Sequence, residues 1–477
     1  MSDVATVDIE VDSEAEMVAF GADLAGTLRK GDRVGLVGDL GAGKSTLARA
    51  TLRSLAGDPA FEVPSPTFTI VQDYPELTPR VRHVDLYRVE GGDTEELGLG
   101  EGDAAELIEW PREALPVTLA IAFGPHEEAR TITVTAPPAW AERLRRQREA
   151  SAFLARAGWG EARRQPLKTD ASTRGYARVV GGTNAVLMDA PVFTPMPGSY
   201  PLRARLADGN LNAFIAVGEA LRAAGLAAPA VIAADMKKGF LLLEDYGDDK
   251  IAGATGIYPE RYAVAVEAIA AFHNAPPALP LPGDPPYQPP MFDADLSDIE
   301  VALFPEWYLR APLDPDYAAM WRAVISALPR EDDRLSLRDF HSPNLMWRAG
   351  EEGISRIGFL DYQDAMIAPS AYDVVSLAQD ARIDVPDDVE ADLLARYLAA
   401  RPGLDRTAFM RAYHVLGAQR ATRVLGVFRR LNDRDGKPQY LAHIPRVRRA
   451  LAKNLRAEPS LAPLAGWFAT HSDVMSA

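Results

Sequence analysis

The sequence predicts two domains in series, an α/β domain with a phosphate-binding loop and an α+β domain of two lobes. Three observations carry this. The chain has 477 residues, well above the roughly 100–200 expected of one domain. Near its start a short apolar run meets Gly38-Asp39-Leu40-Gly41-Ala42-Gly43-Lys44-Ser45-Thr46. Far downstream stands Arg338-Asp339-Phe340-His341-Ser342-Pro343-Asn344, followed by Asp361. The chain thus reads as holding two separate nucleotide sites.

Composition narrows the class. Hydrophobic residues make up 47 %, ample for sizeable cores, and no eighteen-residue apolar run predicts a membrane span. The first residues lack a basic region and an apolar stretch, so a cytoplasmic location is expected. There are no cysteines, which removes disulfides, thiolate catalysis and Cys-based zinc sites. The net charge of −16 makes the chain as a whole a poor electrostatic match for nucleic acid.

In the first domain, residues 4–11 alternate as a strand. Ser13 and Glu16 form a capping box, and Met17, Phe20, Leu24 and Leu28 mark one helical face that Gly31 ends. Arg33 to Val37 reads as a buried strand, and Leu47, Thr51 and Leu55 as a helix beyond the loop. Strand, loop and helix together give the pattern G-x-x-x-x-G-K-[ST] its mechanism. Gly38, Gly41 and Gly43 let backbone N–H groups approach phosphate oxygens, aided by the helix N-terminus. Lys44 then reaches the β- and γ-phosphates of ATP, and the Ser45 hydroxyl reaches magnesium (Mg2+). This predicts an α/β P-loop NTPase fold. The alternation of Val81 to Tyr87 places Asp85 as a second carboxylate on the magnesium side, or as a surface strand residue. Leu107-Ile108 leads into Glu109-Trp110-Pro111. A carboxylate beside an indole there suits water activation or base stacking, and a half-buried core Trp110 is the alternative.

The loop, then Pro64-Ser65-Pro66-Thr67-Phe68-Thr69, His83-Val84-Asp85-Leu86-Tyr87-Arg88 and Glu109-Trp110-Pro111 occur in this order. Over roughly residues 4–137 this resembles the TsaE family, the small ATPase of the bacterial machinery that makes threonylcarbamoyladenosine in transfer RNA. The resemblance implies that Lys44, Ser45 and Thr46 bind ATP and magnesium, and that Thr67 lies in a switch-like loop. It gives Asp85 and Glu109 as catalytic or metal carboxylates and Trp110 as a nucleotide contact. It also implies protein partners of the TsaB/TsaD type, with transfer RNA engaged only through them.

Ala136-Pro137-Pro138-Ala139 is a short stiff break, which sets the expected domains at 1–138 and 139–477. Trp140 to Glu149 reads as a helix with a basic solvated face. Leu167 to Val180 then reads as strand, tight turn, strand, with small residues including Ser172 able to cover phosphates. Ala185 to Met188 is a strand and Asn212 to Ala223 a helix. Phe240 to Leu243, ahead of Glu244-Asp245-Tyr246-Gly247, is a buried strand ending where a hinge would meet adenine. The small lobe is expected over about 150–247 and the large lobe over about 248–470.

A helix is expected over 260–273, then a surface loop where eight prolines crowd 276–290. Glu300 to Leu309 resumes helical spacing, for packing or for lining an acceptor pocket. In the stretch beginning at Asp339, D-x-x-x-x-N predicts a catalytic loop: Asp339 takes the proton of an acceptor hydroxyl, while Asn344 and Asp361 bind magnesium. Asp373 either braces that loop or caps its own helix. Arg420 to Arg430, with Leu416, Val424, Leu425 and Phe428, reads as a structural amphipathic helix.

These residues, with Leu360-Asp361-Tyr362-Gln363-Asp364 and Leu243-Glu244-Asp245-Tyr246-Gly247, resemble the aminoglycoside-phosphotransferase-like kinases. Asp170-Ala171-Ser172, Met188-Asp189-Ala190-Pro191 and Arg434-Asp435-Gly436-Lys437-Pro438 narrow the likeness to the AmgK group. The resemblance implies a two-lobed protein-kinase-like (aminoglycoside phosphotransferase) fold over about 150–460. It also implies phosphorylation of N-acetylmuramate or N-acetylglucosamine at the anomeric hydroxyl, with Ser172, Glu244 and Tyr246 at the nucleotide. The sequence departs twice. Leu337 stands where many relatives carry His, and Val186-Leu187-Met188 lacks a phosphate-binding lysine. Lys168, Arg174 and Arg178 are the open substitutes. Another acceptor of aminoglycoside, choline or homoserine type, or a non-catalytic regulatory module, is the alternative for this half; a free-standing nucleotide kinase is the alternative for the first.

Overall fold

The computed structural model describes residues 4–89, 97–167, 174–191, 196–207 and 210–476. It divides into two compact units: Met1–Asp189 with Ala233–Leu243, and Ala190–Ile232 with Glu244–Ala477. Among the described residues no helix is long and apolar enough to cross a membrane.

The first unit opens with β1 (Ala5–Val11), α1 (Glu14–Thr27), β2 (Arg33–Val37) and α2 (Lys44–Ala56). Ser13 caps α1, its hydroxyl accepting from the Glu16 amide, while the Glu16 carboxylate reaches back to the Asp12 amide at 2.9 Å. The reciprocal box thus lands one residue earlier than the pattern suggests, and α1 ends at Thr27 ahead of Gly31. β3 (Val71–Tyr74), β4 (Val81–Asp85), β5 (Ala105–Glu109), β6 (Val117–Phe123) and β7 (Arg130–Ala136) follow. They form a seven-stranded sheet in the order β1-β7-β6-β2-β5-β4-β3, parallel through β6, β2, β5 and β4. Met17, Phe20, Leu24 and Leu28 pack into its core as their spacing predicts.

Helix α3 (Pro138–Arg156) starts inside the proline-rich break, with Pro138 in its first turn, where a missing N–H costs nothing. Its first half gives Trp140 and Leu144 to the core of the seven-stranded sheet. Its second half gives Ala150, Phe153 and Leu154 to a second core. The expected basic face is solvated in part: Arg145 and Arg148 are exposed, while the other two arginines are tied down. Arg143 pairs with Asp32 at 2.8 Å, and Arg146 pairs with Asp189.

The second core lies on the five-stranded sheet β11-β12-β10-β9-β8. Its strands are β8 (Arg163–Pro166), β9 (Gly175–Gly181), β10 (Thr183–Asp189), β11 (Val231–Asp235) and β12 (Phe240–Glu244). Between β10 and β11 run α4 (Tyr200–Arg203) and α5 (Leu211–Ala223).

The second unit continues with α6 (Pro259–Asn274), α7 (Ala294–Val301) and α8 (Pro315–Ser326). The proline-crowded stretch carries no helix or ladder strand, only a bridge from Leu281 to Tyr287. Beyond α7, Phe304–Leu309 forms a π-helical turn rather than a continuation of the helix. Short strands β13 (Asp333–Ser336), β14 (Leu345–Trp347), β15 (Ile357–Phe359) and β16 (Met366–Pro369) pair antiparallel as β13 with β16 and β14 with β15. Helices α9 (Ala371–Ala378), α10 (Asp387–Ala400), α11 (Arg406–Asp433), α12 (Ile444–Ala457) and α13 (Ala462–His471) complete it.

Candidate active sites

The first site lies at the C-terminal ends of parallel strands. The register sets Asp85 of β4 beside Glu109 of β5, and Glu109 beside Leu36 of β2. From β2 the chain turns into the loop through Gly38, at φ +149°, where a Cβ would stand 2.2 Å from the Ile121 carbonyl oxygen. Gly41 and Gly43 also take positive φ, as a loop of inward-facing amides requires. Lys44 opens α2, and its buried Nζ donates to the carbonyls of Gly38 and Asp39, each at 2.8 Å. Burial pushes its ammonium below the usual lysine value, against the opposing pull of Glu109, Asp39 and Asp85. The Lys44 Nζ also sits 3.6 Å from the centre of the Trp110 ring, so Trp110 is part of the site and no core residue.

Hydroxyls and carboxylates interlock around the loop. Ser45 Oγ donates to Glu109 Oε2 at 2.7 Å, and Glu109 Oε1 lies 2.9 Å from His83 Nε2. Thr67 Oγ1 donates to Asp85 Oδ2 at 2.9 Å, and the Tyr87 amide donates to Asp85 Oδ1. Asp85 is buried, which removes the surface-strand alternative. Thr46 lies half-buried on the first turn of α2.

The second site is built on the β14–β15 hairpin. Asn344 precedes β14 and Asp361 follows β15, so the hairpin brings its two ends together, and the Leu360 amide donates to the Asn344 carbonyl at 2.9 Å. Asn344 Nδ2 reaches the Asp339 carbonyl at 3.0 Å, which folds the loop onto itself. Asp361 takes φ +56° and accepts from Gln363 Nε2 at 2.8 Å. The Asp339 carboxylate stays partly exposed, 3.9 Å from His341 Nε2. Glu244 and Tyr246 pack on the same hairpin: Tyr246 lies against Gly358, and Arg348 covers the Tyr246 ring at 4.6 Å while reaching Glu244 at 3.7 Å.

Asp373 braces the loop. It is fully buried and accepts from Ser336 Oγ at 2.9 Å, the Leu337 amide at 2.9 Å and the Arg338 amide at 3.1 Å. Three donors on one carboxylate decide between the brace and the simple helix-end reading. Arg338 itself is buried at φ +66° and pairs with Glu300 of α7. Lys168 and Ser172 lie outside the described residues.

Residues 11–135 match the family model of the threonylcarbamoyl adenosine biosynthesis protein TsaE. Residues 163–410 match that of the phosphotransferase enzyme family, more than half of the chain. The N-acetylmuramate/N-acetylglucosamine kinase of Caulobacter vibrioides is 39 % identical over 353 residues, covering 68 % of this chain and 97 % of that protein. Its counterpart in Pseudomonas aeruginosa is 33 % identical, covering 64 % of this chain and 89 % of that protein. The tRNA threonylcarbamoyladenosine biosynthesis protein TsaE of Aquifex aeolicus is 32 % identical over 114 residues, covering 24 % of this chain and 84 % of that protein. The chain belongs to the phosphotransferase enzyme family, with a TsaE-family domain joined ahead of it.

The TsaE domain offers oxygen donors where a magnesium–nucleotide would need them: a serine hydroxyl and two carboxylates beside a cradle that only glycine fits at Gly38. The phosphotransferase domain offers Asn344 and Asp361. Among the described residues no group of three or more His, Asp or Glu forms a closed metal site. Two protein oxygens suit magnesium, which shares its coordination with phosphates and water.

Sequence reasoning missed several members of both sites. In the TsaE domain, His83 holds Glu109; its spacing of two from Asp85 on one strand is the signal that could have found it. In the phosphotransferase domain, Gln419 and Arg423 join Arg338 around Glu300. Glu300 comes from α7, Gln419 and Arg423 from α11, and no local pattern links them.

Proposed function

We propose that this chain is a bifunctional fusion acting in the cytoplasm. Residues 1–138 act as the ATPase that serves transfer-RNA threonylcarbamoylation, and residues 139–477 transfer the γ-phosphoryl group of ATP to the anomeric hydroxyl of N-acetylmuramate or N-acetylglucosamine. The observation that carries the second assignment is the 39 % identity to the Caulobacter kinase across 97 % of its length. The meeting of Asp339, Asn344 and Asp361 at one hairpin supports it.

In this reading Asp339 holds the acceptor hydroxyl and takes its proton. An anomeric hydroxyl is more acidic than an ordinary alcohol, so Asp339 need only position it and take its proton late. Asn344 and Asp361 hold magnesium, which when bound neutralises charge on the phosphates. Glu244 and Tyr246 border the adenine.

In the TsaE domain, Gly38, Gly41, Gly43, Lys44, Ser45 and Thr46 hold ATP with its magnesium. Asp85 and Glu109 orient the attacking water and the metal, with Trp110 against the nucleotide. Its partners are proteins of the TsaB/TsaD type, and transfer RNA is reached only through them.

A panel of sugars, aminoglycosides, choline and homoserine offered to the full chain with ATP and magnesium tests the second half. Turnover with N-acetylmuramate or N-acetylglucosamine, abolished in Asp339→Ala, is expected; turnover with another acceptor alone refutes the assignment. For the first half, Lys44→Ala is expected to abolish support of the transfer-RNA modification in cells depleted of their own TsaE.

A further inference from the structure

Helix α11 buries a group of polar side chains that the phosphotransferase mechanism above does not use. Arg423 Nη1 donates to Glu300 Oε1 at 3.1 Å, and Arg338 pairs with the same oxygen. Gln419 Nε2 donates to Glu300 Oε2 at 2.8 Å. Glu300 is thus saturated by two guanidiniums and one amide. Burial alone would raise its carboxyl, yet Arg423 and Arg338 hold it below the ordinary range.

Arg420 lies one turn before Arg423 and differs from it. It is 5 % exposed, its Nε is buried without an acceptor as that of Arg423 is, and its side chain forms no hydrogen bond or ion pair among the described residues. A guanidinium cannot shed its proton to escape burial. A buried charge left without a partner is among the costliest features a fold can keep.

The neighbours leave Arg420 no free anion of their own. Asp380 and Asp339 are the carboxylates it feels most, while Arg423 repels it. Asp380 is already engaged, accepting from the Ser342 amide at 2.9 Å, the Ser342 hydroxyl at 2.6 Å and the Arg382 amide at 2.8 Å. Asp339 is the carboxylate reserved for the acceptor hydroxyl. Arg382 Nη1 lies 3.3 Å from His341 Nε2. Arg420 is therefore left, in the neighbourhood of Asp339, as a buried guanidinium with no anion bonded to it.

N-acetylmuramate supplies that anion. It is N-acetylglucosamine carrying a lactyl ether, and the lactyl carboxylate is the charge that distinguishes the two sugars. A planar guanidinium fork is the side chain best matched to a carboxylate. We propose that Arg420 binds the acceptor's carboxylate and so sets the preference for N-acetylmuramate over N-acetylglucosamine. This rests on the amino-sugar kinase reading. The other anion that could meet Arg420 is the transferred phosphoryl group, and the two differ in what the acceptor changes.

The test is steady-state kinetics of the full chain, with both sugars, for wild type, Arg420→Met and Arg420→Lys, together with thermal melts. Arg420→Met is expected to raise KM for N-acetylmuramate by about 10–100-fold, the worth of a charge-assisted pair. KM for N-acetylglucosamine is expected to stay within about twofold, because that sugar lacks the partner charge. The melting temperature is expected to hold or rise, since an uncompensated buried charge is removed. Arg420→Lys keeps the charge without the fork and is expected to fall between wild type and Arg420→Met; it carries the test if the methionine variant does not fold. An equal fall of kcat with both sugars overturns the proposal in favour of the phosphoryl group. Unchanged kinetics with both sugars overturns it in favour of a purely structural charge. Wild-type turnover with neither sugar removes the kinase reading itself, whereas turnover with an unaltered preference in the variants removes only this inference.

Discussion

Arg164 Nη2 and Asp23 Oδ1 stand 2.7 Å apart, and this pair ties the first strand of the phosphotransferase fold to the first helix of the TsaE domain. Ser151 Oγ of α3 donates to the same oxygen at 2.6 Å, and Arg164 Nη1 reaches the Gln147 carbonyl at 3.2 Å. Arg163, one residue earlier, caps the far end of α2 by donating to the Gly57 carbonyl. Both members of the Asp23–Arg164 pair are largely buried, so deleting one strands the other. Arg164→Met is expected to cost about 3 kcal/mol of stability. Urea unfolding followed by tryptophan fluorescence checks this; a midpoint equal to that of wild type contradicts it.

Helix α3 makes a second prediction about where the chain can be cut. A fragment ending at residue 138 loses Trp140 and Leu144 from the core of the TsaE domain. Removal of buried side chains of this size costs about 3–5 kcal/mol each, against a total stability of about 5–15 kcal/mol. Residues 1–138 alone are therefore expected to melt without cooperativity, whereas residues 1–156 melt with a defined midpoint. Circular dichroism of the two fragments distinguishes the outcomes.

The same helix shows where the sequence was legible and where it was not. The phosphate loop could be read because strand, glycines and helix are adjacent in the chain. Asp85 and Glu109 could be placed because each closes a short strand, and Asp361 because it follows one closely. At Ala136-Pro137-Pro138-Ala139 one local signal had two meanings: proline stops a strand and also starts a helix. Trp140 and Leu144 face one core while Phe153 and Leu154 face another, so no single stripe announced α3 as shared. Arg420 and Arg423 looked like the polar edge of an amphipathic helix. Arg423 is buried against Glu300, more than a hundred residues earlier, and no periodicity within α11 encodes that.

Gly38 tests the TsaE loop directly. Its φ of +149° and the nearby Ile121 carbonyl leave no room for a Cβ. Gly38→Ala must push the loop away from β6, and with it the amides that cradle phosphate. ATP binding is expected to weaken by at least about 100-fold, as loss of several preorganised donors would imply. Titration with a fluorescent ATP analogue measures it, and Gly41, where nothing lies within 4 Å of a Cβ, is the control for backbone strain alone.

Asp373 is predicted to govern turnover without touching substrate. Its carboxylate holds the Leu337 and Arg338 amides, and Arg338 sits in the left-handed region immediately before Asp339. Asp373→Asn turns one acceptor oxygen into a donor facing donors, so the loop must shift. A displacement of about 1 Å at the base costs on the order of 100-fold in rate. kcat is expected to fall by about that factor with little change in KM for ATP, because Asn344 and Asp361 are held by the hairpin. A rise in KM for ATP with kcat intact would place Asp373 elsewhere in the mechanism.

His341 makes the stability of the phosphotransferase domain depend on pH. Burial, then Arg382, Arg420 and Arg423, hold its imidazole well below the usual histidine range. The unfolded chain takes up that proton near pH 6.5, while the folded chain refuses it. Between the folded value and 6.5 the unfolded state therefore holds the extra proton, so stability present above pH 6.5 is lost as the pH falls. One such proton contributes a slope of about 1.4 kcal/mol per pH unit. His273, buried beside Asp373 and also lowered by burial, adds to the same slope. His341→Asn keeps a neutral polar side chain without a titrating proton. Its unfolding free energy is expected to decline less steeply than that of wild type from pH 6.5 to 5.5, by close to one proton's worth. Urea midpoints across that range decide the matter, and parallel declines in the two proteins would mean that His341 already carries its proton when folded.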